Sequence, residues 1–418
     1  MSSFARAGAM LLAVAWVAGT AFAGGSPEPQ REAFSDQYRQ MEWSQIVSEA
    51  AGSDLYWYMW GGSDSINVFV QEFVADMLAG EYDVALEMVP VTDASVFVSK
   101  VLGEKQAGRD TGGSVDLVWI NGENFRSMRE GDLLFGPYAD LLPNMQYVNA
   151  DDPTIANDFG FPVEGYESPY GSAQMVMIYD RARVEEPPQT IPALLDWIRE
   201  HPGRFTYPAP PDFTGSAFVR HLFYYAAGGY EQLLGGFDEE LFSQVAPRAW
   251  ELLNDIEPYL WREGRTYPES STQQQNLFAN QEVDFDMGYN PSGAANLVAQ
   301  GRYPESTRTF VFESGTIGNT HYVAIPFNAS HKAAAMVAAN LLLEPAVQYE
   351  KALPGVWGDL PVVDVTTLPG EWPDRFSAIP RPESVLPTAT LQQHRIPELQ
   401  SPWLEAIERG WIRNVLEQ

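Results

Sequence analysis

Short apolar runs alternate with stretches of helical spacing along the first third of the chain. The aromatic run at 54–60 (DLYWYMW) predicts a buried strand, and the following Gly-Gly-Ser at 61–63 ends it. The same reasoning predicts strands at 54–60, 82–91 and 115–120, separated by helices at 65–78 and 96–106. This order is typical of a parallel sheet covered by helices. Ligands bind beyond the carboxyl ends of such strands, here at 60–64 and 121–124.

The rest of the chain continues to mix both kinds of element and contains no internal repeat. The pattern predicts strands at 175–179, 281–289, 309–312 and 320–325, and helices at 191–200, 216–227, 248–260, 292–299, 332–343 and 403–416. We therefore expect an α/β fold. A chain of 418 residues exceeds one typical domain and points to two.

The N-terminus has the pattern of a cleaved secretory signal at residues 1–23. Arg6 is the only charged side chain among the first 27 residues, 7–18 is apolar, and Ala-Phe-Ala at 21–23 fits a cleavage site. About a dozen apolar residues are too few to cross a ~30 Å hydrocarbon core. We expect a flexible leader at 24–39 and no membrane anchor.

Composition narrows the compartment and the partners. The chain has no cysteine, which excludes disulfides, a thiolate nucleophile and a lipid-bearing cysteine after the signal. An unanchored periplasmic protein is the resulting expectation. The 56 acidic residues against 25 basic ones give a net charge of −31, which would repel nucleic acid and anionic lipid. Such a field would attract a cationic solute without identifying one.

Six segments carry a family resemblance that runs from about residue 40 to the C-terminus. They are YMWGGS (58–63), DLVWINGENF (116–125), ESPYGSAQMVMIYD (167–180), FTYPAPPDFTGSAFVR (205–220), VDFDMGYNPSGAANLVAQG (283–301) and HYVAIPFNASHKAAAMVAANLLLEPAVQ (321–348). In this order they resemble extracellular solute-binding proteins of ABC importers, and most closely the YnjB-like family of substrate-binding proteins.

The resemblance implies a two-lobed periplasmic binding protein of type II-like architecture. Each lobe would be a mixed sheet flanked by helices, and hinge strands would cross between the lobes. By analogy, lobe one would hold 40–168 and 316–364, and lobe two 169–315 and 365–418. The lobes of a monomer would close over one solute without a cofactor. Permease and ATPase subunits would be separate chains, since the sequence has no phosphate-binding loop of the GxxxxGK[ST] type.

Two candidate ligand contacts follow from position at a strand end and at a crossing. Trp60, Gly62 and Ser63 precede a helix, so the amides and the hydroxyl could hold a polar group while the indole stacks on it. An ordinary glycine turn with a serine cap is the alternative. Tyr170 and Ser172 lie where the chain should first cross between lobes. The glycine between them could serve backbone freedom alone.

A second group of candidates follows the third predicted strand. Trp119 ends the strand, and Asn121 and Asn124 offer both donors and acceptors. Glu123 would suit a cation. The alternative is a turn in which Trp119 covers the core.

Lobe two offers a predicted helix start and a predicted strand end. Thr214, Gly215 and Ser216 precede a helix and could present an anion-binding N-terminus, although Ser or Thr there is also a routine cap. Tyr289 and Asn290 end a later strand and should face the same cleft. Asp286 belongs to the end of the same strand and should face the cleft with them. Two weaker candidates are Trp357 and Asp359.

The sequence leaves the ligand open. A thiamine-like organic cation is the first candidate, because aromatic side chains favour cations. An oxyanion or phosphonate-like solute is the main competitor. Tyr224 and Tyr225 resemble the tyrosine pair of ferric-ion-binding relatives, but core packing explains both rings, and the five histidines show no metal-ligand spacing. No catalytic motif is present, so we expect no enzyme; an exported hydrolase is the different-class alternative.

Overall fold

The computed structural model describes residues 37–417. The predicted signal peptide and most of the predicted leader lie outside the described residues. Within the described range, no helix is both long and apolar enough to cross a membrane.

The first five predicted elements are confirmed, with small shifts at their ends. The elements of this part are α1 (Trp43–Ala50), β1 (Ser53–Trp60), α2 (Asp64–Val68), α3 (Ala75–Tyr82), β2 (Val84–Val91), α4 (Ser95–Gln106), β3 (Leu117–Ile120) and α5 (Gly122–Glu130). A π-helical segment, Phe69–Val74, joins α2 to α3, so the helix predicted at 65–78 is continuous.

Strands and helices also alternate through the remainder of the chain. The middle contains α6 (Pro153–Ala156), β4 (Asn157–Asp158), β5 (Phe161–Pro162), β6 (Glu167–Gln174), β7 (Val176–Asp180), α7 (Ile191–Glu200), α8 (Phe213–Ala227), α9 (Glu239–Ile256), α10 (Ser271–Ala279), β8 (Phe285–Gly288), α11 (Gly293–Ala299) and β9 (Thr307–Phe310). The final part contains β10 (Thr316–Ala324), α12 (Lys332–Leu342), α13 (Pro345–Ala352), α14 (Trp372–Ser377), α15 (Thr388–Gln393), β11 (Arg395–Ile396) and α16 (Ser401–Trp411).

The larger sheet has the strand order β11-β10-β3-β1-β2, with β6 also paired to β10. Strand β1 runs parallel to β2 from Ser53 opposite Val84 to Trp60 opposite Val91, and parallel to β3. Strand β10 runs antiparallel to β3 and β6. The carboxyl ends of β1 and β3 therefore lie at one edge, as the pattern predicts.

A second sheet of three strands, in the order β8-β7-β9, forms the other lobe. The chain passes between the sheets from β6 into β7 and from β9 into β10. At the crossing the Met175 amide donates to the Ile317 carbonyl over 2.8 Å. This two-lobed mixed α/β arrangement confirms the predicted fold class. The lobe boundaries stay a prediction; Leu368 packs into the core of lobe one, beyond the boundary proposed at 364.

The main core of each lobe is aromatic and aliphatic. In lobe one, Trp57 and Met59 of β1 pack with α12. In lobe two, Phe218 of α8 packs with Trp403 and Trp411 of α16. The two lobes thus have separate main cores, which permits one lobe to move against the other.

Three element assignments differ from the sequence pattern. The sequence pattern predicts no strand at 167–174, where Ser, Pro and Gly have low strand propensity; the structure forms β6 there, and all of its residues are buried. Helix α8 begins at Phe213 because Asp212 caps it through the amides of Thr214 and Gly215. Helix α9 begins at Glu239, well before the expected start at 248, since it accommodates Pro247 within its length.

Candidate functional site

An aromatic cluster lies where β6 and β10 cross between the lobes. The ring of Trp119 lies 5.7 Å from Tyr170, 5.1 Å from His321 and 5.8 Å from Trp357. Tyr170 and Trp357 are buried, whereas Trp119 and His321 are partly exposed. We call these four residues the aromatic floor.

A β-bulge places Tyr170 in the aromatic floor. Gly171 pairs with His321 and Pro169 with Tyr322, so Tyr170 is the extra residue of β6. A bulge turns its side chain out of the regular alternation. Pro169 is tolerated beside the bulge because the ladder is already interrupted there.

A buried ion pair lies against the aromatic floor. Lys351 Nζ lies 3.0 Å from Asp359 Oδ2, and His321 Nε2 lies 3.3 Å from Asp359 Oδ1. Burial acts to raise the pKa of Asp359, but the charges of Lys351 and His321 outweigh it and hold that pKa below its usual range. Lys351 also donates to the Tyr170 carbonyl and lies 5.0 Å from the Tyr170 ring.

This ion pair explains the glycine between Tyr170 and Ser172. A Cβ on Gly171 would lie 2.1 Å from Asp359 Oδ2 and 2.3 Å from Lys351 Nζ. Close approach of the backbone to the pair requires glycine here, so backbone freedom is not the reason.

The loop that carries Trp357 joins the aromatic floor to lobe two. Asn290 donates to the Trp357 carbonyl over 3.0 Å, and Asn296 of α11 donates to the same oxygen over 3.2 Å. Asn290 also accepts from the Ser292 amide. Asn290 therefore lies at the lobe junction, where the sequence predicted it.

Lobe two contributes a buried polar network. The Tyr289 hydroxyl donates to Glu398 Oε1 over 2.8 Å and accepts from Arg220 Nη2 over 3.1 Å. Arg220 and Glu398 form an ion pair at 3.3 Å. Ser216 donates to Glu408 over 2.7 Å on the neighbouring helix α16. Burial raises the pKa of both glutamates above the usual range.

Glu123 of lobe one faces this network. Its side chain reaches solvent, yet the surrounding protein desolvates the carboxyl enough to raise its pKa, and the charge of Glu408 adds to the rise. Arg220 acts in the opposite direction. Carboxylates from both lobes thus face each other across the junction. Asn124 Nδ2 lies 3.4 Å from Glu123 Oε1.

A tight hairpin in lobe one supplies another carboxylate and a ring. Phe159 and Gly160 both have positive φ, 45° and 67°, which suits the two-residue turn between β4 and β5. Asp158 accepts from the Gly122 amide over 2.6 Å. The Phe159 ring lies 6.2 Å from the Phe213 ring of lobe two.

A cavity of about 230 Å³ lies between this hairpin and Glu398 of lobe two. We call it the interlobe cavity. Its lining comes from lobe one (Pro153, Thr154, Asn157, Asp158, Phe159, Gly160), from β10 (Gly318, Asn319, Thr320) and from lobe two (Leu234, Pro397, Glu398).

The predicted strand-end residues lie as expected at the edge of the larger sheet. Trp60 is 45% exposed. Its indole folds over Gly62, where a Cβ would lie 2.2 Å from the ring. Ser63 precedes α2 without capping it, and its hydroxyl lies 3.2 Å from that of Ser65. Contact of these residues with a solute stays a prediction.

Other predicted residues have structural partners already. Asn121 donates to the Thr320 carbonyl over 2.7 Å, and Ser172 is buried in β6, where its backbone bridges to Leu360. The amides of Thr214 and Gly215 both donate to Asp212 Oδ1 over 3.0 Å. The start of α8 therefore lacks the open amides that an anion site would use.

Two expectations were wrong. Asp286 does not face the junction: it is buried inside lobe two, where Tyr303 donates to it over 2.5 Å. Tyr225 is not a core residue, because it is 43% exposed on α8. Tyr224 is buried and donates to the Pro397 carbonyl. Within residues 37–417, no group of three or more His, Asp or Glu side chains could hold a metal ion.

Sequence reasoning missed several residues of the junction. Arg220 is fully buried in the mostly apolar helix α8, and a charge in such a run was the available signal. No sequence signal marked Glu398, Glu408 or Asp158, because their partners lie far away along the chain.

Comparison with known proteins agrees with this geometry. The sequence profile of the family described as "Bacterial extracellular solute-binding protein" matches residues 72–376. The chain belongs to this family. Protein YnjB of Escherichia coli (strain K12) is 38% identical over 379 residues, which cover 91% of this chain and 95% of YnjB. This solute-binding protein is therefore a YnjB-like component of an ABC transporter, a transport protein by family.

Solved structures share the fold of this solute-binding protein at low identity. An ABC transporter protein from Clostridium perfringens has a TM-score of 0.62 at 16% identity, covering 87% of this chain and 99% of that one. A spermidine/putrescine substrate-binding protein from Streptococcus pneumoniae has a TM-score of 0.59 at 13% identity, covering 87% of this chain and 98% of that one. A periplasmic thiamin-binding protein has a TM-score of 0.56 at 17% identity, covering 87% of this chain and 96% of that one.

Proposed function

We propose that the protein captures a small organic cation between its lobes in the periplasm. It then delivers that solute to a separate permease and ATPase. A thiamine-like cation is the first candidate. The observation that carries the proposal is the opposition of Glu123 in lobe one to Glu398 and Glu408 in lobe two. Burial is the main cause of the raised pKa of Glu123 and of Glu398, and the opposing carboxylates add to the rise. A cation between the lobes would relieve that repulsion and favour closure.

Two cations near the junction form ion pairs, although Arg220 Nε and Nη1 and Arg395 Nε have no acceptor within the described residues. Arg220 is held by Glu398 and Tyr289, and Lys351 by Asp359. The Glu123 carboxylate forms no ion pair within the described residues, so it and the aromatic rings remain to meet a solute, which suits an organic cation. The structural neighbours named for thiamin and for spermidine/putrescine support the view that this fold can hold such solutes.

A thermal-shift screen of thiamine, amines, amino acids and oxyanions tests the proposal. A cation at 100 times its Kd should stabilise the protein by about 2.7 kcal/mol. Stabilisation by an oxyanion alone would reject the cation class. Turnover of a sugar or ester, with no shift from any solute, would favour the exported hydrolase.

A further inference from the structure

Hydrogen-bond acceptors from three parts of the chain line the interlobe cavity. Asp158 is 2% exposed, Asn319 8% and Glu398 6%, so each side chain is more than nine-tenths buried. Among the described residues that line the cavity, none carries a positive charge, although the Arg395 guanidinium lies behind this lining and donates to the Asn319 carbonyl over 2.8 Å. The hydroxyls of Thr154 and Thr320 donate elsewhere, to Asp152 and to the Thr154 carbonyl.

One oxygen atom on each of two of these side chains accepts no hydrogen bond within the described chain. Asn319 Oδ1 accepts no hydrogen bond. Glu398 Oε2 lies 3.3 Å from Arg220 Nη2 but accepts no hydrogen bond from it in this geometry. Buried acceptors normally find donors, and leaving one without a partner is unfavourable. The lining thus matches a ligand that brings N–H groups.

The electrostatics agree with this chemistry. Burial raises the pKa of Asp158 well above its usual range, and the charges of Glu123 and Glu398 add to the rise. A positive group between Asp158 and Glu398 would offset both effects. Apolar atoms of Phe159, Leu234 and Pro397 lie around the same space, where they could contact methylene groups.

We propose that the interlobe cavity binds the ammonium group of a protonated amine, with Asp158, Asn319 and Glu398 as its acceptors. The proposal rests on the organic-cation function and narrows it: the solute has at least one cationic end that carries N–H donors. A fully methylated ammonium has the same charge but no donor, so it fits this lining poorly.

Calorimetric titration of the full chain with 1,4-diaminobutane, and with its fully N-methylated bis-quaternary analogue, tests this inference. We expect the diamine to bind at least about tenfold more tightly, the effect of a hydrogen bond to a charged group. Asp158→Asn should weaken diamine binding about tenfold and weaken binding of the quaternary analogue less, because the analogue loses only the charge attraction and no hydrogen bond. Glu185→Gln, in the exposed loop after β7, is the control and should change neither.

Asn319→Leu is a second variant, and it removes an acceptor oxygen, Asn319 Oδ1, that forms no hydrogen bond in the folded protein. Because Asn319 Oδ1 has no donor to lose, the midpoint of thermal unfolding should stay the same or rise, while diamine binding weakens. Equal affinity for the diamine and its methylated analogue, or unchanged diamine affinity in both variants, would overturn the ammonium site. Binding of thiamine but not of the diamine would overturn it too, and would leave the organic-cation function standing. Binding of oxyanions alone would reject both.

Discussion

The Tyr289 hydroxyl donates to Glu398 Oε1 over 2.8 Å on the side of lobe two that faces lobe one. The hydroxyl oxygen of Tyr289 also accepts a hydrogen bond from Arg220 Nη2. Tyr289 thus links two buried, oppositely charged groups that form an ion pair at 3.3 Å. A buried ion pair depends on such extra hydrogen bonds to offset its desolvation.

Replacing Tyr289 should therefore lower the free energy of unfolding more than replacing a tyrosine whose hydrogen-bond partner is uncharged. Tyr289→Phe should lower the free energy of unfolding by about 1.5–3 kcal/mol, the range for hydrogen bonds to charged groups. Tyr224→Phe is the matched control, because it loses a bond to the Pro397 carbonyl worth about 1 kcal/mol. Urea denaturation measures both. Equal losses would show that the Arg220–Glu398 pair does not need the hydroxyl.

Gly171 should be intolerant of any side chain. Gly171→Ala places a methyl group against Lys351 and Asp359, and separating such a pair costs about 3–5 kcal/mol. Gly288→Ala, in β8, meets nothing within 4 Å and should change the free energy of unfolding by less than about 1 kcal/mol. If thermal unfolding of the two variants is alike, the ion pair tolerates displacement.

Trp60 is a cleaner probe of solute contact than Tyr170. Tyr170 is buried in the aromatic floor, and truncating it would cost about 3–5 kcal/mol of stability. Trp60→Ala should instead weaken binding of an organic cation about 3- to 30-fold, the range of cation–π energies. Fluorescence titration against Leu102→Ala, an exposed position on α4, checks this. Equal affinity in both variants would remove Trp60 from the site.

Two buried groups of lobe two titrate in opposite senses. Burial lowers the pKa of His221 from 6.5 to about 4. Between those values the unfolded chain binds a proton that the folded chain does not, so this contribution to stability is lost as pH falls. Burial raises the pKa of Asp286 from 3.8 to about 7. Here the folded chain keeps a proton that the unfolded chain releases, so the contribution is lost as pH rises.

Single variants should separate the two effects. Relative to the unsubstituted protein, His221→Gln should gain stability as pH falls from 6.5 to 4. Asp286→Asn should gain stability as pH rises from 4 to 7. Each difference has a limiting slope of about 1.4 kcal/mol per pH unit. Urea denaturation at several pH values measures them; parallel curves for both variants would contradict these protonation states.

Sequence reasoning succeeded where local pattern decides the structure. The aromatic run of β1 and the alternation of strands and helices predicted the first sheet, and Trp60 and Glu123 lie at the strand ends where they were expected. It failed for β6, because the bulge at Tyr170 depends on β10, which lies about 150 residues away.

The chemistry of the junction depends even more on distant partners. The sequence pattern predicted that Asp286 faces the cleft, because the pattern does not show that Tyr303 donates a hydrogen bond to it inside lobe two. Glu398 and Glu408 come from the C-terminal segment. Their place at the junction is recognisable only from their contacts with Arg220 and Ser216 of α8. The start of α8 looked like an anion site because the sequence did not show Asp212 accepting from its amides.

Isothermal titration calorimetry of Glu123→Gln with the best cation from the screen tests the proposed function most directly. Glu123 is solvent-accessible and faces lobe two, so its neutralisation should weaken binding by up to about fivefold. Glu185→Gln, which keeps the same net charge as Glu123→Gln, should bind as the unsubstituted protein does. Unchanged cation affinity in Glu123→Gln, or tighter binding of an oxyanion than of any cation, would contradict capture of a cation between the lobes.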